Sequence, residues 1–153
     1  MGLDMYLSAE KYVKDWAHNY EDGAIPDDTP AKQIQTIIDV PFPVSEVRCQ
    51  VMYWRKANHI HNWFVNNVQG GEDNCESHYV SVTQLAALVQ VCKDVLNDRS
   101  KAAELLPTAS GFFFGGTEYD DYYFDDIERT IAALEKLVAD PPENLTFYYQ
   151  SSW

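Results

Sequence analysis

The sequence is short of basic residues, and it contains no long apolar run. Eleven Lys and Arg residues stand against 24 Asp and Glu residues, which gives a formal net charge of −13 at pH 7. Nucleic acids are bound largely by cationic side chains that displace counterions, and anionic membranes repel an acidic protein. We therefore expect no direct contact with nucleic acid and none with membranes, whereas a basic protein surface would attract the chain. The alternative is that the acidity only maintains solubility.

Other absences bear on location and chemistry. Without a long apolar run or a basic segment ahead of an apolar stretch, the sequence predicts a cytoplasmic protein with neither a membrane span nor a signal peptide. The cysteines form no CxxC pair and are expected to be free thiols, namely Cys49, Cys75 and Cys92. Because no GxSxG or HExxH motif and no EF-hand spacing occurs, we assign no catalytic residue, no metal and no cofactor. A hydrolase stays a remote alternative that would need a concave pocket with converging carboxylates.

Hydrophobic periodicity predicts one α+β domain over residues 1–153, in which three main helices pack on a mostly antiparallel sheet. Strands are expected near residues 3–7, 47–53, 78–80 and 145–149. Helices are expected where apolar stripes run from Trp54 to Val68, from Leu85 to Leu96 and from Phe124 to Val138. The second of these helices begins with a Ser81–Gln84 capping box. Residues 32–40 favour a strand over a helix, because Pro41 follows them.

The segment GFFFGGTEYDDYYFDD, residues 111–126, joins a glycine loop to a predicted helix start. Phosphate-binding loops of this kind place a lysine after the glycines, whereas Thr117 and several acidic residues follow here, so a bare phosphate would be repelled. One interpretation is structural. Thr117 then caps the helix, the carboxylates interact with the helix dipole, and residues 112–114 form a short buried strand.

A second interpretation treats the same acidic residues as a recognition surface. Asp121, Asp125 and Glu128 are spaced to share one helical face, and tyrosines are interleaved with them. Tyrosine supplies contact area at a low entropic cost, so such a surface suits an arginine-rich partner. The candidate partner-binding residues are Glu118, Tyr119, Asp121, Tyr122, Asp125 and Glu128.

The densest cationic stretch is RKANHIHNW, residues 55–63, at the start of a predicted helix. Its cationic residues are expected to lie away from the apolar stripe, whereas His61 falls within the stripe and is expected to be a hydrogen-bonded core histidine. A small anionic ligand such as a nucleotide could bind at this helix N-terminus, with its base on a tryptophan. An internal salt bridge is the alternative. The candidate ligand-binding residues are Trp54, Arg55, Lys56, His59 and Trp63.

Several longer segments resemble an uncharacterised family of small acidic proteins found in bacteria, prophages and phages. The segments are MGLDMYL, YWRKANHIHNWFVNNVQ, LLPTASGFFFGGTEYDDYYFDD and YYQSSW. The resemblance spans most of the chain and is weakest over residues 14–45. It implies a mobile-element origin and, for a phage-encoded protein, the host cytoplasm as the location. It brings no assigned activity, so no catalytic residue follows from it.

Two functional hypotheses follow from the sequence. The first is a non-catalytic counter-defence inhibitor of a phage or prophage, which presents its acidic surface to a basic site on a host protein. The alternative is a protein that binds or sequesters a small anionic ligand, with a nucleotide as the example. A homo-oligomer is left open in both.

Overall fold

The elements of the chain confirm the α+β class. The computed structural model describes residues 2–153, so Met1 of the MGLDMYL segment lies outside the described residues. The strands are β1 (Asp4–Tyr12), β2 (Glu46–Arg55), β3 (His78–Val80) and β4 (Thr146–Ser152). The helices are α1 (Pro30–Ile37), α2 (Asn58–Asn67), α3 (Val82–Asn97), α4 (Ala102–Leu105) and α5 (Asp121–Ala139).

The four strands form one antiparallel sheet in the order β2-β1-β4-β3. Since successive side chains of a strand point to opposite faces, one face can carry the core while the other meets water. The buried face is formed by Met5, Leu7, Met52, Trp54, Phe147 and Tyr149. Tyrosine and polar side chains occupy the opposite face, where Tyr6 and Tyr79 are exposed.

The long helices cover the buried face of the sheet and pack on one another. The predicted capping box of α3 is confirmed, because the Ser81 hydroxyl accepts a hydrogen bond from the Gln84 amide at 3.1 Å and Gln84 Oε1 accepts one from the Ser81 amide at 2.9 Å. The α5 helix is fixed to β2 where the Trp54 indole N–H donates to Thr130 Oγ1 at 2.8 Å. Both residues are fully buried, so this bond sets how the middle of the helix meets the end of the strand.

The prediction of a strand at residues 32–40 is wrong. The segment forms α1, with Pro30 in its first turn, where proline is well tolerated because the N–H it lacks would have no helical partner. The helix ends at Ile37, so Pro41 lies beyond its end and does not oppose it. Pro41 therefore indicated where the element ends, and not whether the element is a helix or a strand.

Two predictions about the glycine loop are also wrong. The last helix begins at Asp121, and its cap is Asp120, whose carboxylate accepts from the Tyr123 amide at 3.1 Å; Thr117 plays no part in capping it. Residues 112–114 form a turn and not a buried strand, since the Phe114 amide donates to the Gly111 carbonyl at 3.2 Å. The turn leaves the Phe112 side chain 90% exposed and sends only Phe114 into the core.

The free thiols predicted for the three cysteines are confirmed. Cys49 and Cys75 are exposed, whereas Cys92 is buried in α3, where burial raises the pKa of its thiol to about 12. Within residues 2–153, none of the helices has both the length and the apolar character that crossing a bilayer requires.

Candidate functional site

A cleft of about 440 Å³ opens where the end of β2, the first turn of α2, the glycine loop and the first turns of α5 meet. This volume falls in the range of roughly 300–1,000 Å³ that small-molecule sites occupy. Both charged segments singled out in the sequence contribute to the lining. The charged lining residues are Arg55, Lys56, Arg129, Glu118, Asp120, Asp125 and Asp126. The uncharged ones are Asn58, His59, Thr108, Gly115, Gly116, Tyr122 and Tyr123.

The cationic wall is formed as the chain leaves the sheet. Arg55 ends β2, and its guanidinium pairs with Asp4 at 3.1 Å, so the internal salt bridge considered for this stretch is present at Arg55. Lys56 follows in a left-handed conformation with φ of 62°, and its amide donates to the Leu3 carbonyl at 2.8 Å. Its ammonium group makes no ion pair with any residue from 2 to 153. Lys56 is therefore a cation that a ligand can use.

The N-terminus of α2 adds a second positive element beside Lys56. The cap position is Ala57, which makes no side-chain capping bond, and the first turn contains no acidic residue. The first amides of a helix have no intrahelical acceptor, and the helix dipole adds partial positive charge at that end. The Asn58 amide donates to the Lys56 carbonyl at 2.8 Å, so the amides that follow it are the donors available to an anion. An anionic group is therefore favoured at this point of the cleft.

Asn58 ties the glycine loop to α2. Its side-chain amide donates to the Phe114 carbonyl at 3.0 Å and to the Gly116 carbonyl at 2.8 Å, and its oxygen accepts from the Ala109 amide at 3.1 Å. The residue is buried, so its bond to the Phe114 carbonyl is shielded from water and the other two bonds are partly shielded. Sequence analysis missed Asn58, because an asparagine at a helix start looks the same whether its amide faces solvent or a distant loop.

The glycines of the loop allow close packing and do not form a phosphate cradle. Gly115 has φ of 85°, and a Cβ placed on it would lie 3.3 Å from the Cβ of Lys56. A Cβ on Gly111 would lie 2.6 Å from the Phe114 ring, so the ring rests directly on the glycine backbone. The loop turns carbonyls toward Asn58, whereas a phosphate cradle presents N–H groups. The loop is thus a wall of the cleft.

His59 is a buried, neutral group and not part of an exposed cationic spot, which corrects the sequence prediction. Only 3% of it is exposed, and its ring lies 4.2 Å from the ring of Tyr123, centroid to centroid. Burial lowers the pKa of His59 to about 3. Its Nε2 is buried without a hydrogen-bond partner among the described residues. A polar atom in this position favours a ligand that supplies the missing hydrogen bond.

This histidine should make the protein sensitive to acid. Histidine in an unfolded chain has a pKa near 6.5, so below that pH the unfolded state binds a proton that the folded state excludes until about pH 3. We expect the destabilisation caused by His59→Gln to shrink by about 1.4 kcal/mol per pH unit as the pH falls from 6 to 4. Urea unfolding of wild type and variant at each pH measures this difference in unfolding free energy. The contributions of all other titrating groups cancel in the difference. A difference that stays constant with pH would contradict the burial of a neutral imidazole.

The acidic residues that line the cleft, Glu118, Asp120, Asp125 and Asp126, form its acidic wall. One of their carboxyl groups has an unusual environment. Burial raises the pKa of Asp126 to about 6, the neighbouring Arg129 opposes that rise, and Asp125 adds to it. Arg129 Nη1 lies 3.4 Å from Asp126 Oδ1. Four acidic residues line the cleft, and no hydroxyl among the lining residues bonds to a histidine or a carboxylate. Within residues 2–153, no group of three or more His, Cys, Asp or Glu residues is arranged to hold a metal ion.

The six candidate partner-binding residues are all exposed, but they do not share one environment. Glu118, Tyr122 and Asp125 line the cleft, and the first and last of these make no ion pair within residues 2–153. Tyr119 is held in place, since its hydroxyl accepts from the Thr108 amide at 3.4 Å. Outside the cleft, Asp121 makes no ion pair with any described residue, whereas Glu128 lies 3.9 Å from Arg99.

The tryptophans proposed to stack on a base do not reach the cleft. Trp54 is fully buried on β2, and its indole N–H is used by Thr130. Trp63 packs edge-on against Phe64, with the ring centroids 5.3 Å apart. Both are therefore removed from the ligand-binding set. The aromatic residue at the rim is Tyr122, which is 81% exposed.

Comparison with known proteins adds no assignment. The chain matches no protein-family model, no curated protein and no solved structure. The family resemblance stays a prediction, and function has to be argued from the cleft itself.

Proposed function

We propose that the protein binds a small polar ligand with an anionic group in the cleft between α2 and α5. The observation that carries this proposal is the meeting of three groups at one cavity. They are the unpaired ammonium of Lys56, the first turn of α2, which no side chain caps, and His59, whose buried Nε2 has no partner among the described residues. Each of these groups gains an interaction when an anionic, hydrogen-bonding ligand enters.

The ligand has to match the opposite wall as well. Glu118 and Asp125 offer only acceptor oxygens, so a ligand with several negative charges would be repelled. Its anionic group therefore lies at the Lys56 side, and its hydrogen-bond donors face the carboxylates. A nucleoside monophosphate has this distribution of charge and donors and is a suitable first probe.

The test is a thermal-shift titration with adenosine 5′-monophosphate. A ligand present at 100 times its Kd adds about 2.7 kcal/mol of stability, which for a chain of this size raises Tm by roughly 5–10 °C. We expect Lys56→Met to remove most of this shift, because it deletes the charge and keeps an unbranched aliphatic stem against Gly115. Lys136→Met removes the same charge from the far end of α5 and should leave the shift intact.

Two outcomes would contradict the proposal. One is the absence of any shift with this probe and with other small phosphorylated or carboxylated compounds. The other is a shift that Lys56→Met and Lys136→Met affect equally, since the charge at the cleft would then have no special role.

A second function is favoured by the exposed acidic and tyrosine residues at the start of α5. We propose that this surface engages a basic site on a host protein, as a counter-defence inhibitor encoded by a phage or prophage would. Changing Asp121, Asp125 and Glu128 together to Lys should abolish capture of that partner in a pull-down from host lysate. A matched variant with the exposed Glu72, Glu76 and Glu143 changed to Lys should retain it. Undiminished capture by the first variant would contradict this function.

A further inference from the structure

We infer that the cleft recognises the sugar phosphate part of its ligand, a phosphomonoester with neighbouring hydroxyl groups, and leaves any attached base at the exposed rim. The inference rests on the proposed ligand-binding function and specifies which chemical groups are recognised. It predicts that a free sugar phosphate and a nucleotide bind through the same contacts.

The phosphate end is assigned to the side where Lys56 meets α2. One ammonium and one helix N-terminus suit a single phosphate group, which helix N-termini bind well. Gly116 lines the same part of the cleft, and a Cβ placed on it would meet nothing within 4 Å, so there is open space beside the backbone. A compact tetrahedral group can therefore approach the lysine without displacing the loop.

The hydroxyl groups are assigned to the acidic wall. Glu118 and Asp125 are exposed and make no ion pair with any described residue. Ionised carboxylates only accept hydrogen bonds, so they repel a second phosphate and bind hydroxyl donors. An acidic side chain that accepts from ribose hydroxyls is a recurrent solution in nucleotide sites. The two walls together thus select for a phosphate and a polyol in one molecule.

His59 supplies a hydrogen bond to a neutral group in the ligand. Burial lowers its pKa well below neutrality, so the ring is uncharged in the working range and adds nothing to phosphate binding. The neutral imidazole can donate or accept at Nε2, as a hydroxyl group can. Nε2 is not open to water, so a sugar hydroxyl would reach it through a small turn of the ring, which would end the isolation of this buried atom.

The base receives no enclosed slot. The ring of Tyr123 is already covered by His59 at 4.2 Å, and the tryptophans lie outside the lining. Tyr122 alone offers an open aromatic face, and it stands at the rim with 81% exposure. Stacking on an exposed ring tolerates every base, because each has a similar π-face. Recognition should therefore depend little on the base.

Isothermal titration at pH 7 with defined probes tests this inference. We expect ribose 5-phosphate and the adenosine, guanosine, cytidine and uridine 5′-monophosphates to bind within about tenfold of one another. Inorganic phosphate and adenosine should each bind at least about tenfold more weakly. Equal binding of inorganic phosphate and ribose 5-phosphate, or a preference above about 100-fold for one base, would overturn the inference while leaving the proposed function in place. Failure of every phosphorylated probe to bind would overturn both.

Surface variants separate hydrogen bonding from simple electrostatics without disturbing the core. Removing a carboxylate by Asp125→Ala should strengthen the binding of any anion if the residue acts only by charge. We expect the opposite, a loss of about tenfold for ribose 5-phosphate with no loss for inorganic phosphate. Tighter binding of ribose 5-phosphate by Asp125→Ala would refute the assigned hydroxyl contact.

Tyr122→Ala tests the position of the base. It should weaken nucleotide binding several-fold and leave ribose 5-phosphate binding unchanged, because only a base can stack on this ring. Equal loss for both ligands would contradict a base at the exposed rim.

Discussion

Replacing Asn58 with alanine is expected to lower the free energy of unfolding by about 2–4 kcal/mol and to abolish ligand binding in the cleft. The change removes three hydrogen bonds at once and leaves the carbonyls of Phe114 and Gly116 and the amide of Ala109 without this partner. Each hydrogen bond contributes roughly 1 kcal/mol, and a buried group left unpaired costs more. The glycine loop then loses its connection to α2, so the cleft wall is no longer fixed.

Urea unfolding and the thermal-shift titration measure the two effects in the same samples. Asn66→Ala is the matched control, because Asn66 is exposed on the same helix and its side chain bonds only to Asn62 nearby. A change within about 0.5 kcal/mol is expected for this control. If Asn58→Ala costs no more than Asn66→Ala, the loop is held by something other than this amide.

Replacing His61 with phenylalanine should cost about 2–4 kcal/mol. His61 Nδ1 lies 2.7 Å from the Tyr149 hydroxyl and Nε2 lies 3.1 Å from Asp73 Oδ1, so the ring joins the middle of β4 to the loop after α2. Trp153 reaches the same carboxylate, with its indole N–H 3.2 Å from Asp73 Oδ1. Phenylalanine keeps most of the ring volume and removes both bonds, which leaves a buried tyrosine hydroxyl without this partner.

A double-mutant cycle separates the hydrogen bond from the packing. Tyr149→Phe removes the hydroxyl alone, and the double variant His61→Phe with Tyr149→Phe should be less destabilised than the sum of the single variants by about 1–2 kcal/mol. Urea unfolding at pH 7 gives all three values. Strict additivity would show that the two side chains are neighbours without an energetically significant bond.

His61 adds to the acid sensitivity expected from His59. Burial lowers the pKa of His61, although Asp73 acts in the opposite direction. A histidine whose folded-state pKa lies below its unfolded value contributes stability at neutral pH that is lost as the pH falls below about 6.5. Asp126 has the reverse sign, because its pKa is raised to about 6, so the stability it contributes at low pH is lost as the pH rises from about 4 to about 6. The pH dependence of the wild-type free energy of unfolding is the sum of these three contributions. The difference in unfolding free energy between wild type and one variant is therefore more informative, because it isolates a single group.

Features that depend on neighbouring residues could be predicted from the sequence. The Ser81–Gln84 capping box and the buried stripe of α3 follow from spacing within one turn or a few turns. His61 falls on the apolar stripe of its helix, and a buried imidazole needs partners, so the prediction of a hydrogen-bonded core histidine is confirmed. These patterns involve residues close in sequence, and the tertiary contacts of the folded chain do not override them.

The cleft could not be predicted, because it depends on contacts between distant parts of the chain. Residues 58–61 in the first turn of α2 are all buried, although helical periodicity assigns one side of them to solvent, because the glycine loop packs on Asn58. Periodicity therefore placed His59 outside the core and gave no reason to select Asn58. The two charged segments were interpreted as separate sites, whereas the fold makes Lys56 and Asp125 opposite walls of one cavity.

One ligand should contact both walls of this cleft at once. A titration of the ¹⁵N-labelled protein with adenosine 5′-monophosphate, followed through backbone amide chemical shifts, tests this contact directly. We expect saturable shifts concentrated at Lys56, His59, Gly115, Gly116 and Asp125. Shifts confined to another region, such as the groove between β1 and α1, or no saturable shifts at all, would contradict it.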